Sequence, residues 1–234
     1  MDGVQLDFNY DVYWIWNLFG QEFYITESIF NTWMVGIFLL VVAVIVRIKV
    51  KSFTDVPTTK LQIVVEAAVD AIQNLVKTNL GEKYAYFGTW FFGVFAYIWA
   101  CNLSGLVGLR PPTADLATTA ALGVSTFCII HVMGVRVQKG KYFKEYLQPV
   151  PLFLPMNIAG ELAIPVSLSL RMFGNILAGT IIMGLMYGLF PPFMKVILPA
   201  PFHFYFDVFA GSMQAFIFTI LSLVFINKKL VTEE

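Results

Sequence analysis

Arg171 stands inside the apolar stretch IPVSLSLRMFGNILAGTII, residues 164–182, with Glu161 and Lys195 as its nearest charged neighbours along the chain. A guanidinium keeps its charge under all ordinary conditions. In an apolar helix it must therefore face water, a partner's carboxylate, or buried carbonyl groups. On a helix, Glu161, Leu168 and Asn175 follow one another at i, i+7 and i+14, and Arg171 lies one turn before Asn175, beside that stripe. Glu161 and Arg171 are about 15 Å apart along a helix axis, too far for a direct ion pair. Each is solvated separately or paired elsewhere. Ser167, Ser169, Gly174, Ala178 and Gly179 are small, so another helix or water can come close to the arginine.

A second polar stripe lies near the C-terminus. Asp207, Gly211 and Gln214 stand at i, i+4 and i+7, and His203 is one turn before Asp207. A carboxylate and an imidazole at this spacing can pass protons. Simpler readings stand beside that one: an interfacial histidine near a helix start, and an aspartate placed by the helix dipole. His131 has no acidic neighbour at helical spacing and reads as structural. Glu66 and Asp70 read as a solvated face. Cys101 and Cys128 lie in apolar runs, without a CxxC pairing, and read as small core residues. No metal site and no cofactor is expected.

The elements that must hold these residues follow from composition. Of 234 residues, 58% are hydrophobic and only 13% charged, about half the charge of a soluble domain. The net charge of zero gives no basic field for nucleic acid. Several apolar runs reach the roughly 20 residues that span a bilayer, and none shows the alternation of a β-barrel strand. The class is an all-α polytopic membrane protein, read as one domain over 1–234. The N-terminal segment 1–28 is acidic and lacks the basic region of a cleavable signal. A first span covers 29–46 and ends at RIKVK. Residues 61–80 carry Glu66, Asp70, Gln73, Asn74 and Lys77 at helical spacing, which marks an amphipathic interfacial helix. The second span is 85–106, and GLRPPTAD is a turn whose prolines resist helix. Asp115 is an N-cap candidate for the third span, 115–135. A long run from 155 to 190 would reach about 54 Å as one helix, against about 30 Å of hydrocarbon. It must tilt or bend, with Pro165 as the natural bend point. The final helix is 202–226.

Basic residues set the orientation. Residues 47–83, 136–148 and the C-terminus hold Arg47, Lys49, Lys51, Lys60, Lys77, Lys83, Arg136, Lys139, Lys141, Lys144, Lys228 and Lys229. The other side holds Arg110 and Lys195. Five crossings with an external N-terminus and a cytoplasmic C-terminus satisfy this asymmetry.

The segment PVSLSLRMFGNILAG, 165–179, resembles the arginine helix of the a subunit (subunit 6) of rotary F-type ATP synthases in its bacterial form. QAFIF, 214–218, resembles the matching part of that family's last helix, and CNLSGLVG and PPTADLATTAALG resemble its second and third spans. The resemblance covers almost the whole chain, and R-x-F-G-N followed by Q-A-F-I-F is specific. It implies five transmembrane helices, two long tilted C-terminal helices facing a ring of c subunits, and contact with the b-subunit peripheral stalk, with the F1 sector reached indirectly. The implied place is the bacterial cell membrane. The implied activity is not bond chemistry. Two offset aqueous half-channels deliver protons to and from carboxylates on the ring, and the arginine matching Arg171 separates them, coupling proton flow to rotation and ATP synthesis. By position, Asn175 and Gln214 belong near the arginine, Asp207 and His203 toward the external half-channel, and Glu161 toward the cytoplasmic one. Some family members carry an acidic residue and a histidine where this chain has Thr180 and Asp207, so Asp207 takes over the ionisable role. Asp115 fits either the external entrance or its cap.

Two other classes compete. A self-contained cation/proton antiporter would show inverted repeats and broken helices, and no repeat is visible. A structural anchor would have no use for Arg171, Asn175 and Gln214 in mid-membrane.

Overall fold

A computed structural model describes residues 12–18, 21–53, 59–147, 150–191 and 194–230. A two-stranded antiparallel hairpin, β1 (Val12–Leu18) and β2 (Gln21–Thr26), precedes the helices, with a register shift between Val12 and Trp14. The sequence reading assigned only an external segment there. The strands are rich in Val, Ile, Tyr, Trp and Phe, the side chains that favour a pleated surface.

The regular elements described after it are helices. The elements are α1 (Glu27–Val50), α2 (Lys60–Leu80), α3 (Phe87–Leu103), α4 (Leu116–Gln138), a short α5 (Gly140–Glu145), α6 (Leu154–Leu189), the short α7 (Met194–Ile197) and α8 (Pro199–His203), and α9 (Gly211–Leu230). A π-helical stretch, Phe204–Ala210, joins α8 to α9. Among the described residues, five stretches are long and apolar enough to cross a membrane: Glu27–Val50, Phe87–Val107, Leu116–Gln138, Pro151–Leu189 and Pro199–Leu230. They coincide with the five apolar runs of the sequence.

Local chemistry explains the ends. Thr59 caps α2 by accepting from the Gln62 amide at 3.3 Å, and Gly81 at φ 84° stops it in a conformation that suits glycine. Asp115 is the N-cap of α4, its Oδ1 accepting from the Ala117 amide at 3.0 Å. The cap expected from the sequence is therefore formed.

The core lies where α2, α3, α4, α6 and α9 meet. One cluster joins Ile72, Val76 and Leu80 of α2 to Phe91, Ile130, Leu223 and Ile226. The apolar face of α2 thus packs on the bundle, while Asp70 stays exposed. A second cluster gathers Ile98, Leu168, Met172, Ala215 and Phe218. Cys101 is in the core, but Cys128 is exposed on the outside of α4, which corrects its reading as a core residue. By contrast α1 shows most of its apolar side chains outward, the pattern of a helix whose solvent is lipid. It is tied in at its start, where Asn31 Nδ2 donates to the Arg110 carbonyl at 3.0 Å.

The pair α4–α6 approaches closely because Gly123 lacks a side chain. A Cβ there would stand 2.8 Å from the Pro165 carbonyl oxygen and would meet Ser169 Oγ. Ser169 Oγ already donates to that same carbonyl at 2.7 Å, so the seam has no slack. Pro165 sits inside α6 and is buried, and the hydroxyl serves a carbonyl near the backbone position where proline removes a helical hydrogen bond. Gly123→Ala should therefore force α4 and α6 apart and destabilise the detergent-solubilised protein by about 1–3 kcal/mol. Gly93→Ala, where a Cβ meets nothing within 4 Å, should leave stability unchanged or raise it. Thermal unfolding in detergent compares the two.

Candidate functional site

The polar residues are distributed along one seam, where α6 runs against the last helix in the opposite direction. Half-way along, Asn175 Nδ2 donates to Gln214 Oε1 at 2.9 Å. Gln214 is buried. Toward the start of α6, Lys229 Nζ meets Glu161 Oε1 at 2.7 Å. Toward its end, the Tyr187 hydroxyl lies 3.0 Å from His203 Nε2, and His203 Nδ1 lies 2.6 Å from Asp207 Oδ2.

These contacts share a single antiparallel register. Glu161 is fourteen residues before Asn175, and Lys229 is fifteen after Gln214; Tyr187 is twelve after Asn175, and His203 is eleven before Gln214. Once Asn175 faces Gln214, the helical rise alone brings the other two sets to matching heights.

Arg171 is the exception on this seam. It is exposed and forms no hydrogen bond or ion pair with any described residue. The side of α6 that carries it also shows Gly160, Ala163, Ser167, Gly174 and Ala178 to the outside, and a Cβ at Gly174 would meet nothing within 4 Å. A cation on an open, small-residue face leaves space for an element that is not part of this chain. Burying it against its own carbonyls, one of the alternatives open to the sequence, is not what the fold does.

At the end of α6 marked by Tyr187, a cavity of about 430 Å³ is lined by Glu27, Arg110, Asn175, Thr180, His203 and Asp207, among others. Its volume holds several waters at about 30 Å³ each. Asp207 reaches it from the π-helical stretch, with its carboxylate laid on Gly105: a Cβ at Gly105 would stand 2.9 Å from Oδ1. The regular α-helical spacing expected across 202–226 is corrected here, because the wider π turn lets Asp207 face the cavity while Gln214 turns into the core. Such bulges concentrate at functional sites. The turn is held at its end by Asn102, whose Nδ2 donates to the Gly211 carbonyl at 2.9 Å and whose Oδ1 accepts from Thr113 Oγ1 at 2.7 Å. Thr180 also lines the cavity, but its hydroxyl donates to its own helix, to the Ile176 carbonyl at 2.9 Å.

The residues expected from the sequence thus fall into three sets: His203 with Asp207, Asn175 with Gln214 near Arg171, and Glu161 by itself at the basic end. His131 is bonded to its own helix, Nδ1 to the Phe127 carbonyl at 3.1 Å, and its ring lies tilted against that of Phe127. Sequence reasoning missed Lys229, Tyr187 and the two residues that bring charge to the cavity from elsewhere, Glu27 from the start of α1 and Arg110 from the turn before α4. The register just described was the available signal for Lys229 and Tyr187. It becomes visible only once α6 and α9 are known to be neighbours.

Comparison with known proteins identifies the family of the chain. The family model described as ATP synthase A chain matches residues 29–227. A relative from Propionigenium modestum, described as ATP synthase subunit a, sodium ion specific, is 33% identical over 222 residues, covering 88% of this chain and 74% of its own. ATP synthase subunit a of Bacillus pumilus is 32% identical over 232 residues, covering 89% and 95%. ATP synthase subunit a 2 of Acaryochloris marina is 32% identical over 220 residues, covering 92% and 88%. Since the match takes in all five spans up to the last turn of α9, the chain belongs to the ATP synthase A chain family.

Proposed function

We propose that this chain is the proton-translocating stator subunit of an F-type ATP synthase, set in the bacterial cell membrane with its N-terminus outside and its C-terminus in the cytoplasm. The observation that carries the reading is Arg171: a permanent charge half-way along a membrane helix, on an open face, without a partner among the described residues. Its partner is then a carboxylate presented by a ring of c subunits. The b-subunit peripheral stalk holds the chain against that ring.

Protons enter through the cavity lined by His203 and Asp207, whose imidazole and carboxylate are in hydrogen-bond contact, and pass to a ring carboxylate near Asn175 and Gln214. A neutral carboxyl can then face lipid, which an ionised one cannot without a large cost. After rotation the proton leaves toward Glu161 and the basic end. Arg171 stands between the two routes, attracts the ionised ring carboxylate and opposes direct leakage. The membrane potential contributes about 2.3 kcal/mol per charge per 100 mV. The chain makes and breaks no bond of ATP itself. The ion is a proton in this reading because an imidazole at the mouth is suited to proton transfer.

Arg171→Ala should assemble with the complex yet reduce proton-driven ATP synthesis to background in membrane vesicles. Arg171→Lys should do nearly the same, because a compact ammonium replaces a planar group poorly. Normal synthesis in either variant rejects the mechanism. Asp207→Asn should slow passive proton flow roughly tenfold or more, and an unchanged rate removes Asp207 from the route. Synthesis should proceed equally with and without added sodium; a sodium requirement assigns the other ion.

A further inference from the structure

The pair at the basic end is unlike a terminal surface contact. Lys228 and Lys229 are adjacent, yet Lys228 is exposed while the Lys229 side chain is 5% exposed and that of Glu161 16%. Four elements close over them. The Lys229 ammonium lies 5.5 Å from the centre of the Tyr142 ring and 5.4 Å from that of Tyr146, near enough for attraction to both rings. The two tyrosine hydroxyls are 2.7 Å apart. Gln138 Nε2 donates to the Lys229 carbonyl at 2.9 Å, fixing the end of α9 to the end of α4. Asn157 Nδ2 donates to the Tyr146 carbonyl at 2.9 Å, fixing the tyrosine turn to α6. Gly134 makes room for the Tyr142 ring, since a Cβ there would stand 2.5 Å from Cε2.

Within this closure the two oxygens of Glu161 differ. Oε1 holds the ammonium, while Oε2 is buried and has no hydrogen-bond partner among the described residues. A buried carboxylate oxygen calls for a hydrogen-bond donor, and none of the described protein groups supplies one to Oε2. The groups that face it electrostatically are Lys229 from α9, His131 from α4 and, around the ammonium, Tyr142 and Tyr146.

We infer that Lys229 is a positioning residue for proton release: it fixes Glu161 as an ionised acceptor, with Oε1 bound and Oε2 presented to the departing proton. This rests on the release route proposed above and names the group that governs it. The proton binds Oε2, giving a neutral carboxyl for the length of one transfer, then passes to water at the basic end and regenerates the carboxylate. Lys229 keeps its own proton throughout. The tyrosine rings hold the ammonium, and Gln138 holds the Lys229 backbone, so that the cation does not follow the leaving proton into water.

The test is proton flow in membrane vesicles that hold the assembled complex, measured against pH on the basic face. Lys229→Met should slow flow at neutral pH and change how that flow depends on pH, because the carboxylate loses its close opposite charge. Lys229→Arg should restore most of it. In a Glu161→Gln background, where flow is slow at every pH, Lys229→Met should move nothing further. A merely structural tie predicts less assembled complex and a profile of unchanged shape, and that result overturns the inference. The exchanged pair Glu161→Lys with Lys229→Glu keeps the tie and so addresses failure to assemble. Slow flow in an assembled exchanged complex supports the inference, and flow with the original profile overturns it. The wider reading fails separately, through normal ATP synthesis in Arg171→Ala.

Discussion

A guanidinium in the middle of an apolar helix must be solvated, and the rest of the fold is arranged around that requirement. Insertion scales put the cost at about 2.5–3.5 kcal/mol at the centre of a span. Nothing in the described chain offsets it, because Arg171 is turned to the open side of α6 while each other polar residue of that helix's seam is engaged. Asn175 and Gln214 satisfy one another a turn away, and Glu161 is taken by Lys229. The charge is therefore left available: the Gln214 oxygen takes its hydrogen bond from Asn175 and Glu161 Oε1 takes its cation from Lys229.

The same division shows in how the helices pack. On the inner side, Gly123, Pro165 and Ser169 lock α4 to α6 at backbone distance, and Met172 and Leu168 fill the core with Phe218 and Ala215. On the outer side the small residues stay uncovered. The small residues around Arg171 let a neighbouring helix come close, while Leu162, Val166 and Leu170 are exposed beside them.

Much of this was legible in the sequence. Long apolar runs, the lone arginine and the basic asymmetry report directly on a membrane's demands, since lipid forces every backbone group into a helix and makes each charge conspicuous. The cap at Asp115 was readable because capping is local. What escaped was either non-local or a departure from ideal period. Lys229 reads as one of two terminal lysines, and only tertiary packing sends it inward while Lys228 remains outside. The π-helical stretch at Phe204–Ala210 lies in an aromatic-rich run, and its hold by Asn102 comes from a residue 109 positions away. The hairpin at 12–26 carries strand-forming side chains, but its brevity beside five long helical signals hid it.

The antiparallel seam also acts as a ruler. Its outermost polar contacts, at Glu161 and Tyr187, are separated by twenty-six residues of one continuous helix, or about 39 Å along its axis. Hydrocarbon is about 30 Å thick, so a moderately inclined α6 carries both contacts to the two headgroup zones at once. Because α6 is pinned to α9 at two heights and to α8 at a third, the pair cannot slide by a turn without breaking all of them. The depth at which Arg171 sits is thus measured from both membrane faces by the same rigid pair, and a bilayer of different thickness would change the tilt of that pair before it changed the spacing along it.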